Sequence, residues 1–124
     1  MMKAFNYESR ESAWNPGCII FLLRGYIDAH TVIEFEKAVN SSIDEGVKQV
    51  VLDISGLSYI SSAGIGAMMG LTRKLTQNGG DLILLSPTPK VMAILEGLGF
   101  TKIFKIANTE EEAREKLSDT TTSP

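Results

Sequence analysis

Apolar residues recur along this chain in two rhythms, short unbroken runs and helical spacing, and the two alternate from one end to the other. A first short strand is expected around Ala4 to Tyr7, and a polar stretch from Glu8 to Gly17 ends in the turn signal Asn15-Pro16-Gly17. Cys18 to Arg24 reads as a second strand, paired with the first as a hairpin and ended by Gly25. Tyr26 to Thr31 reads as a loop in which Asp28 or Thr31 caps the next helix. Val32, Phe35, Val39 and Ile43 mark the buried face of that helix, and Glu45-Gly46 closes it. Val47 to Ile54 has the composition of a central strand covered on both faces. Leu57, Tyr59 and Ile60 stay apolar, as if the chain crossed the end of a sheet inside the core.

After Ser61 and Ser62 comes a helix of about four turns, ending near Asn78-Gly79-Gly80. Asp81 to Ser86 is a further strand, and Pro87 and Pro89 frame a turn into a short helix. Val91, Met92, Ile94 and Leu95 are that helix's apolar set, and Gly97 and Gly99 end it. Thr101 to Ile106 is a candidate edge strand, and Thr109 caps a last helix from Glu110 to Leu117. Strands alternating with helices imply a single α/β domain over residues 1–117. Its mixed, mostly parallel sheet of four to five strands packs with about four helices, and residues 118–124 form a disordered tail. Sites on such sheets gather beyond the carboxyl ends of the strands. Three loops meet that description: Tyr26 to Thr31, Ser55 to Ser62, and Ser86 to Lys90.

The helix after the serines is unusual. Ala63, Gly64, Gly66, Ala67 and Gly70 fill its start with small residues. Each glycine inside a helix costs roughly 0.8–1 kcal/mol against alanine, so three cost about 2–3 kcal/mol near the upper end. That cost makes sense where something must approach the backbone, either the sheet beneath or a partner above. Ile65, Met68, Met69, Thr72 and Leu75 supply a largely apolar stripe, and Gly66 and Gly70 share another face one turn apart.

Composition narrows the chemistry. At 124 residues, 44% hydrophobic and 22% charged, the chain has the make-up of a soluble domain. A net charge of −3 without a basic cluster argues against nucleic acid as a partner. The lone Cys18 lies in an apolar run too short to span a bilayer, and no signal-peptide pattern opens the chain, so a cytoplasmic location without a membrane partner is expected. One Cys and one His offer no metal-ligand spacing, and neither nucleotide-binding fingerprint is present, so no metal or cofactor is expected. A serine between strand and helix raises a hydrolase. Yet Tyr59-Ile60-Ser61-Ser62-Ala63-Gly64 lacks the first glycine of a nucleophile elbow, and His30 lies in another loop.

What remains is Ser62 as a substrate. A hydroxyl at a helix N-terminus accepts a phosphoryl group where backbone amides favour negative charge. Phosphorylation adds about −1.5 to −2 charge to a small-residue surface, enough to break a close contact. Asp28 and Asp53, if near, would oppose that charge and sharpen the switch. Capping and solvated strand ends are equally good readings of those two residues.

Gly25-Tyr26-Ile27-Asp28 with Thr31, Val50-Val51-Leu52-Asp53, Leu57-Ser58-Tyr59-Ile60 and Ser62-Ala63-Gly64-Ile65-Gly66 together resemble the STAS domain. Within that family the chain resembles the bacterial anti-sigma-factor antagonists. Gly79-Gly80-Asp81, Leu98-Gly99-Phe100 and Lys102-Ile103-Phe104 extend the likeness over residues 4–117. The resemblance implies a non-catalytic, partner-switching module. It would bind an anti-sigma factor that is also a serine kinase, be released by phosphorylation at Ser62, and be restored by a serine phosphatase. Asp28, Thr31, Ser61, Ser62, Ala63, Gly64, Gly66, Ala67 and Gly70 would face the partner, with Asp53 in electrostatic support. The family often has Asp-Ser-Ser-Gly or Asp-Ser-Thr-Gly where this chain has Ser61-Ser62-Ala63-Gly64. Ser61 removes a charge beside the acceptor, and Ala63 removes a second hydroxyl. The alternative keeps the fold without the switch: a constitutive scaffold, or an accessory subunit of a lipid transporter or stress complex. A monomer or a weak homodimer through the Gly/Ala face is expected.

Overall fold

The computed structural model describes residues 4–122, with side chains described through residue 117. In chain order the elements are β1 (Phe5–Glu11), β2 (Cys18–Ile27), α1 (Val32–Asp44), β3 (Gln49–Ile60), α2 (Ser62–Gln77), β4 (Asp81–Leu85), α3 (Pro89–Gly97), β5 (Lys105–Ala107) and α4 (Glu110–Thr122). A short 3-10 turn, Phe100–Lys102, precedes β5. The strands form one sheet in the order β1-β2-β3-β4-β5. β1 runs antiparallel to β2, and the remaining neighbours are parallel.

Alternation along the central strands divides the core in two. Val50, Leu52 and Ile54 point to one side, where Phe35 and Val39 of α1, Ile65, Met68 and Leu75 of α2, and Val91 and Leu95 of α3 cover them. Val51 points to the other side and joins Cys18, Ile20, Ile83 and Leu85 beneath Ala113 and Leu117 of α4. Burial of the Cys18 thiol pushes its pKa up to about 11, so at neutral pH it is an unreactive apolar filler.

The elements depart from the sequence reading at several edges, each for a physical reason. β1 runs on to Glu11 through residues read as loop. An edge strand with a solvated flank has no apolar run to betray it. β2 does not stop at Gly25 but passes through it to Ile27. Gly25 sits at φ +96°, and a Cβ there would lie 2.1 Å from the carbonyl oxygen of Ala4, so glycine lets the strand continue past the start of β1. β3 extends to Ile60 rather than ending at Ile54. β5 is shorter than expected because Phe104, preceding it, turns into the core. α4 reaches Thr122, past the expected end at Leu117; of the anticipated tail, residues 123–124 lie outside the described residues.

β3 is paired to β4 only as far as Asp53↔Leu85, whereas its pairing to β2 carries on to Ile27↔Ile60. Residues 54–60 therefore form, with the end of β2, a two-stranded ribbon beyond the rest of the sheet. Register shifts between Leu22 and Arg24 and between Gly25 and Tyr26 bend that ribbon.

Candidate functional site

The ribbon ends where two connections leave it side by side. Ser61 follows β3, and its amide donates to the carbonyl of Ile27 at the end of β2 (2.8 Å). The turn that leads from Ile27 into α1 thus lies beside the start of α2. Ser61 itself has extended backbone, and its hydroxyl oxygen accepts the amide of Gly64 at 3.3 Å, so it is the N-cap of α2. Ser62 is the first helical residue and is exposed, with no hydrogen bond to its hydroxyl among the described residues. The two serines therefore have different tasks. Ser61 closes the helix, and Ser62 presents a free hydroxyl.

The small residues after Ser62 also divide. Gly66 and Gly70 are exposed, and a Cβ at either would meet nothing within 4 Å. Ala63 is exposed beside them. Gly64 and Ala67, expected on the docking face, instead turn inward. A Cβ on Gly64 would come within 2.7 Å of Ile60 and 2.8 Å of Ile27, so this glycine lets α2 sit down on the ribbon. Ala67 belongs to the buried core with Met68 and Leu71. The open surface is narrower than the sequence implied: Ser62, Ala63, Gly66 and Gly70.

Asp28 organises the neighbouring turn. Its carboxylate accepts the amides of His30 (2.8 Å) and Thr31 (3.0 Å). These bonds, the Thr31 amide's first, hold its pKa below the ordinary carboxylate value. The Thr31 hydroxyl donates to the Tyr26 carbonyl (2.9 Å) and accepts the Asp28 amide (2.9 Å). Neither side chain caps α1, contrary to expectation; both are used up in the turn that precedes it.

Asp53 is a second correction. It stands between Leu52 and Ile54, so strand alternation sends it to the face of the sheet opposite α2. There it accepts the amide (3.0 Å) and hydroxyl (2.7 Å) of Ser55 and lines a shallow groove with Glu8, Arg10 and Leu22. It offers Ser62 no close electrostatic support.

Sequence reasoning missed one cluster at this end of the fold. Tyr26 and Tyr59 are register partners on the ribbon and both are exposed, Tyr59 contrary to its expected place in the core. The ammonium of Lys90, on α3, stands 5.9 Å from the centre of the Tyr59 ring, within cation–π range. Thr88, the N-cap of α3, reaches the Leu57 carbonyl at 3.4 Å, so the third predicted loop also arrives at this edge. A signal was present: buried Leu57 and Ile60 are three residues apart, which breaks strict alternation and marks a bulge.

Among the described residues, no group of three His, Cys, Asp or Glu side chains could hold a metal ion, and no helix is long and apolar enough to cross a membrane. Residues 10–113 match the STAS domain family model. BtrV of Bordetella bronchiseptica, provisionally named an anti-sigma factor antagonist, is 35% identical over 97 residues, covering 78% of this chain and 84% of BtrV. The anti-sigma factor antagonist SpoIIAA in its unphosphorylated form superposes with a TM-score of 0.73 at 26% identity, over 94% of this chain and 97% of its own. The phosphorylated form of the Bacillus cell fate determinant SpoIIAA gives 0.65 at 26% identity, over 91% and 98%. The chain belongs to the STAS domain family, with a mixed five-stranded sheet and four helices as in its structural neighbours.

Proposed function

We propose that this protein is an anti-sigma factor antagonist that works by partner switching. Unmodified, it docks on an anti-sigma factor through the exposed start of α2 and the Asp28 turn beside it. The anti-sigma factor, acting as a serine kinase, transfers a phosphoryl group from ATP to the Ser62 oxygen, and the complex separates. A serine phosphatase hydrolyses the ester and resets the module. One observation carries the reading: the Ser62 hydroxyl is exposed and unengaged at the first position of α2, and Gly66 and Gly70 leave the surface beyond it bare. A kinase can reach that oxygen without opening the fold. The phosphate would meet the positive end of the helix dipole, so it is tolerated by the free protein while crowding a docked partner. The relatives' names, and the fact that SpoIIAA is known in both phosphorylation states, support this reading. Relatives of this kind are generally non-catalytic, and the role here is that of a binding module.

The test is capture of bound proteins from the native cell on wild-type, Ser62→Asp and Ser62→Ala chains, with intact-mass analysis of the recovered protein. Retention of an anti-sigma factor by wild type, its loss from Ser62→Asp, and a phosphoform absent from Ser62→Ala are expected. Equal retention by Ser62→Asp, or no phosphoform under any growth condition, would favour a constitutive scaffold instead.

A further inference from the structure

The outer edge of the sheet carries a pattern that the switch does not use. Among the described residues, β1 has a neighbour only in β2. Ala4 accepts from the Tyr26 amide and the Ser12 amide donates to Cys18, both at 2.9 Å, and the register between them is unbroken. Even-numbered residues of this stretch therefore turn their backbone groups toward β2. Phe5, Tyr7, Ser9 and Glu11 turn theirs outward, as a row able to pair with another strand.

Edge strands are commonly blunted by charge, but here the charges are self-complementary. Two copies of β1 related by a two-fold axis at Ser9 set Glu8 of each opposite Arg10 of the other. Because Ser9 would form the hydrogen-bonded pair, Glu8 and Arg10 would fall on the adjacent non-hydrogen-bonded positions, where cross-strand side chains come closest. An axis at Tyr7 would place Glu8 against Asn6 and Arg10 against Ala4, and an axis at Glu11 would place Arg10 against Ser12. Of these registers, only the one about Ser9 sets Glu8 and Arg10 against each other. Within the chain Glu8 already pairs with Arg24 (3.0 Å) and Arg10 with Glu110 (2.6 Å), so signs alternate across the junction from Arg24 to Glu110. On the other face, an open groove between β1 and α1 is lined by Tyr7, Ser9, Ile33, Glu34 and Lys37. Ile33 is 60% exposed there, and a second β1 along the groove's mouth would cover it.

We propose that the protein forms a two-fold homodimer by joining β1 edges about Ser9, so that one sheet runs through both copies. This interface differs from the Gly/Ala face of α2, leaves Ser62 open, and does not rest on the switching role.

Sedimentation velocity of the full chain over a concentration series tests it. Wild type is expected to shift from monomer to dimer. Ser9→Pro removes an outward amide and spares the ladder to β2, so it should raise the dimer dissociation constant about tenfold or more with little change in thermal unfolding. Arg10→Glu should weaken the dimer, and adding Glu8→Arg should restore it. If Arg10→Glu fails to fold, Ser9→Pro decides alone. A chain that stays monomeric at millimolar concentration, or a dimer indifferent to Ser9→Pro, overturns the proposal.

Discussion

The Ser61 amide donates to the Ile27 carbonyl at 2.8 Å, and this bond carries the pairing of β2 and β3 one step past Ile60, to the exit of both strands. Ser62 follows on one side and Asp28 on the other, so the free hydroxyl and the ordered carboxylate share one end of the fold. That proximity turns separate local features into one candidate surface.

Ser62→Asp should leave the unfolding midpoint close to wild type, because the residue is exposed and negative charge suits a helix N-terminus. Binding to the anti-sigma factor should fall about tenfold or more, corresponding to at least about 1.4 kcal/mol. Isothermal titration against the captured partner measures it, and unchanged affinity would count against the switch.

The glycines of α2 should respond with opposite signs. Gly64→Ala drives a methyl into Ile60 and Ile27 and should destabilise by about 1–3 kcal/mol. Gly66→Ala and Gly70→Ala enter open space, and each should stabilise by up to about 1 kcal/mol while weakening partner binding. Urea unfolding, followed by the fluorescence of the single Trp14 packed against the second core, reads the stability side. A gain in stability with no loss of binding at both exposed glycines would place the docking surface elsewhere.

Ser61→Ala removes the cap on Gly64 and should cost about 1 kcal/mol. Ser61→Asp supplies a carboxylate cap and should recover most of that. Comparing their unfolding midpoints separates the structural role of Ser61 from the exposed role of Ser62.

Acid should loosen the Asp28 turn. The folded pKa of Asp28 is depressed, so its contribution is present above the ordinary value of 3.8 and is lost as pH falls through the lower folded value. Asp28→Asn keeps an oxygen for the two amides but does not titrate. Its stability should therefore decline less steeply than wild type below about pH 4. Parallel slopes in urea titrations over that range would remove Asp28 from the acid response.

Much of the layered fold was legible because its buried strands and amphipathic helices carry strong periodicity: Val50 to Ile54, and Val32, Phe35, Val39 and Ile43, declare themselves. β1 beyond Tyr7 did not, since Glu8 to Glu11 are held by backbone pairing that leaves no hydrophobic trace. Gly25 looked like a strand terminator because its left-handed backbone is visible only beside Ala4. At the site, the serines and exposed glycines were readable as a group, but the direction each faces is not. Gly64 and Gly66 are chemically identical, and only the helix phase sends one down and the other out. Asp53 was misplaced for the same reason, by an alternation that reverses face at every residue.

The overhanging ribbon of β2 and β3 has a mechanical consequence. It acts as a stiff bracket, holding the Ser62 hydroxyl at the surface and anchoring it both by main-chain bonds and by Ile27, Leu57 and Ile60, which pack into the larger core. Were Ser62 phosphorylated, the group could be added and removed at that tip with the interior undisturbed, and the molecule's lifetime would not depend on how often it signals.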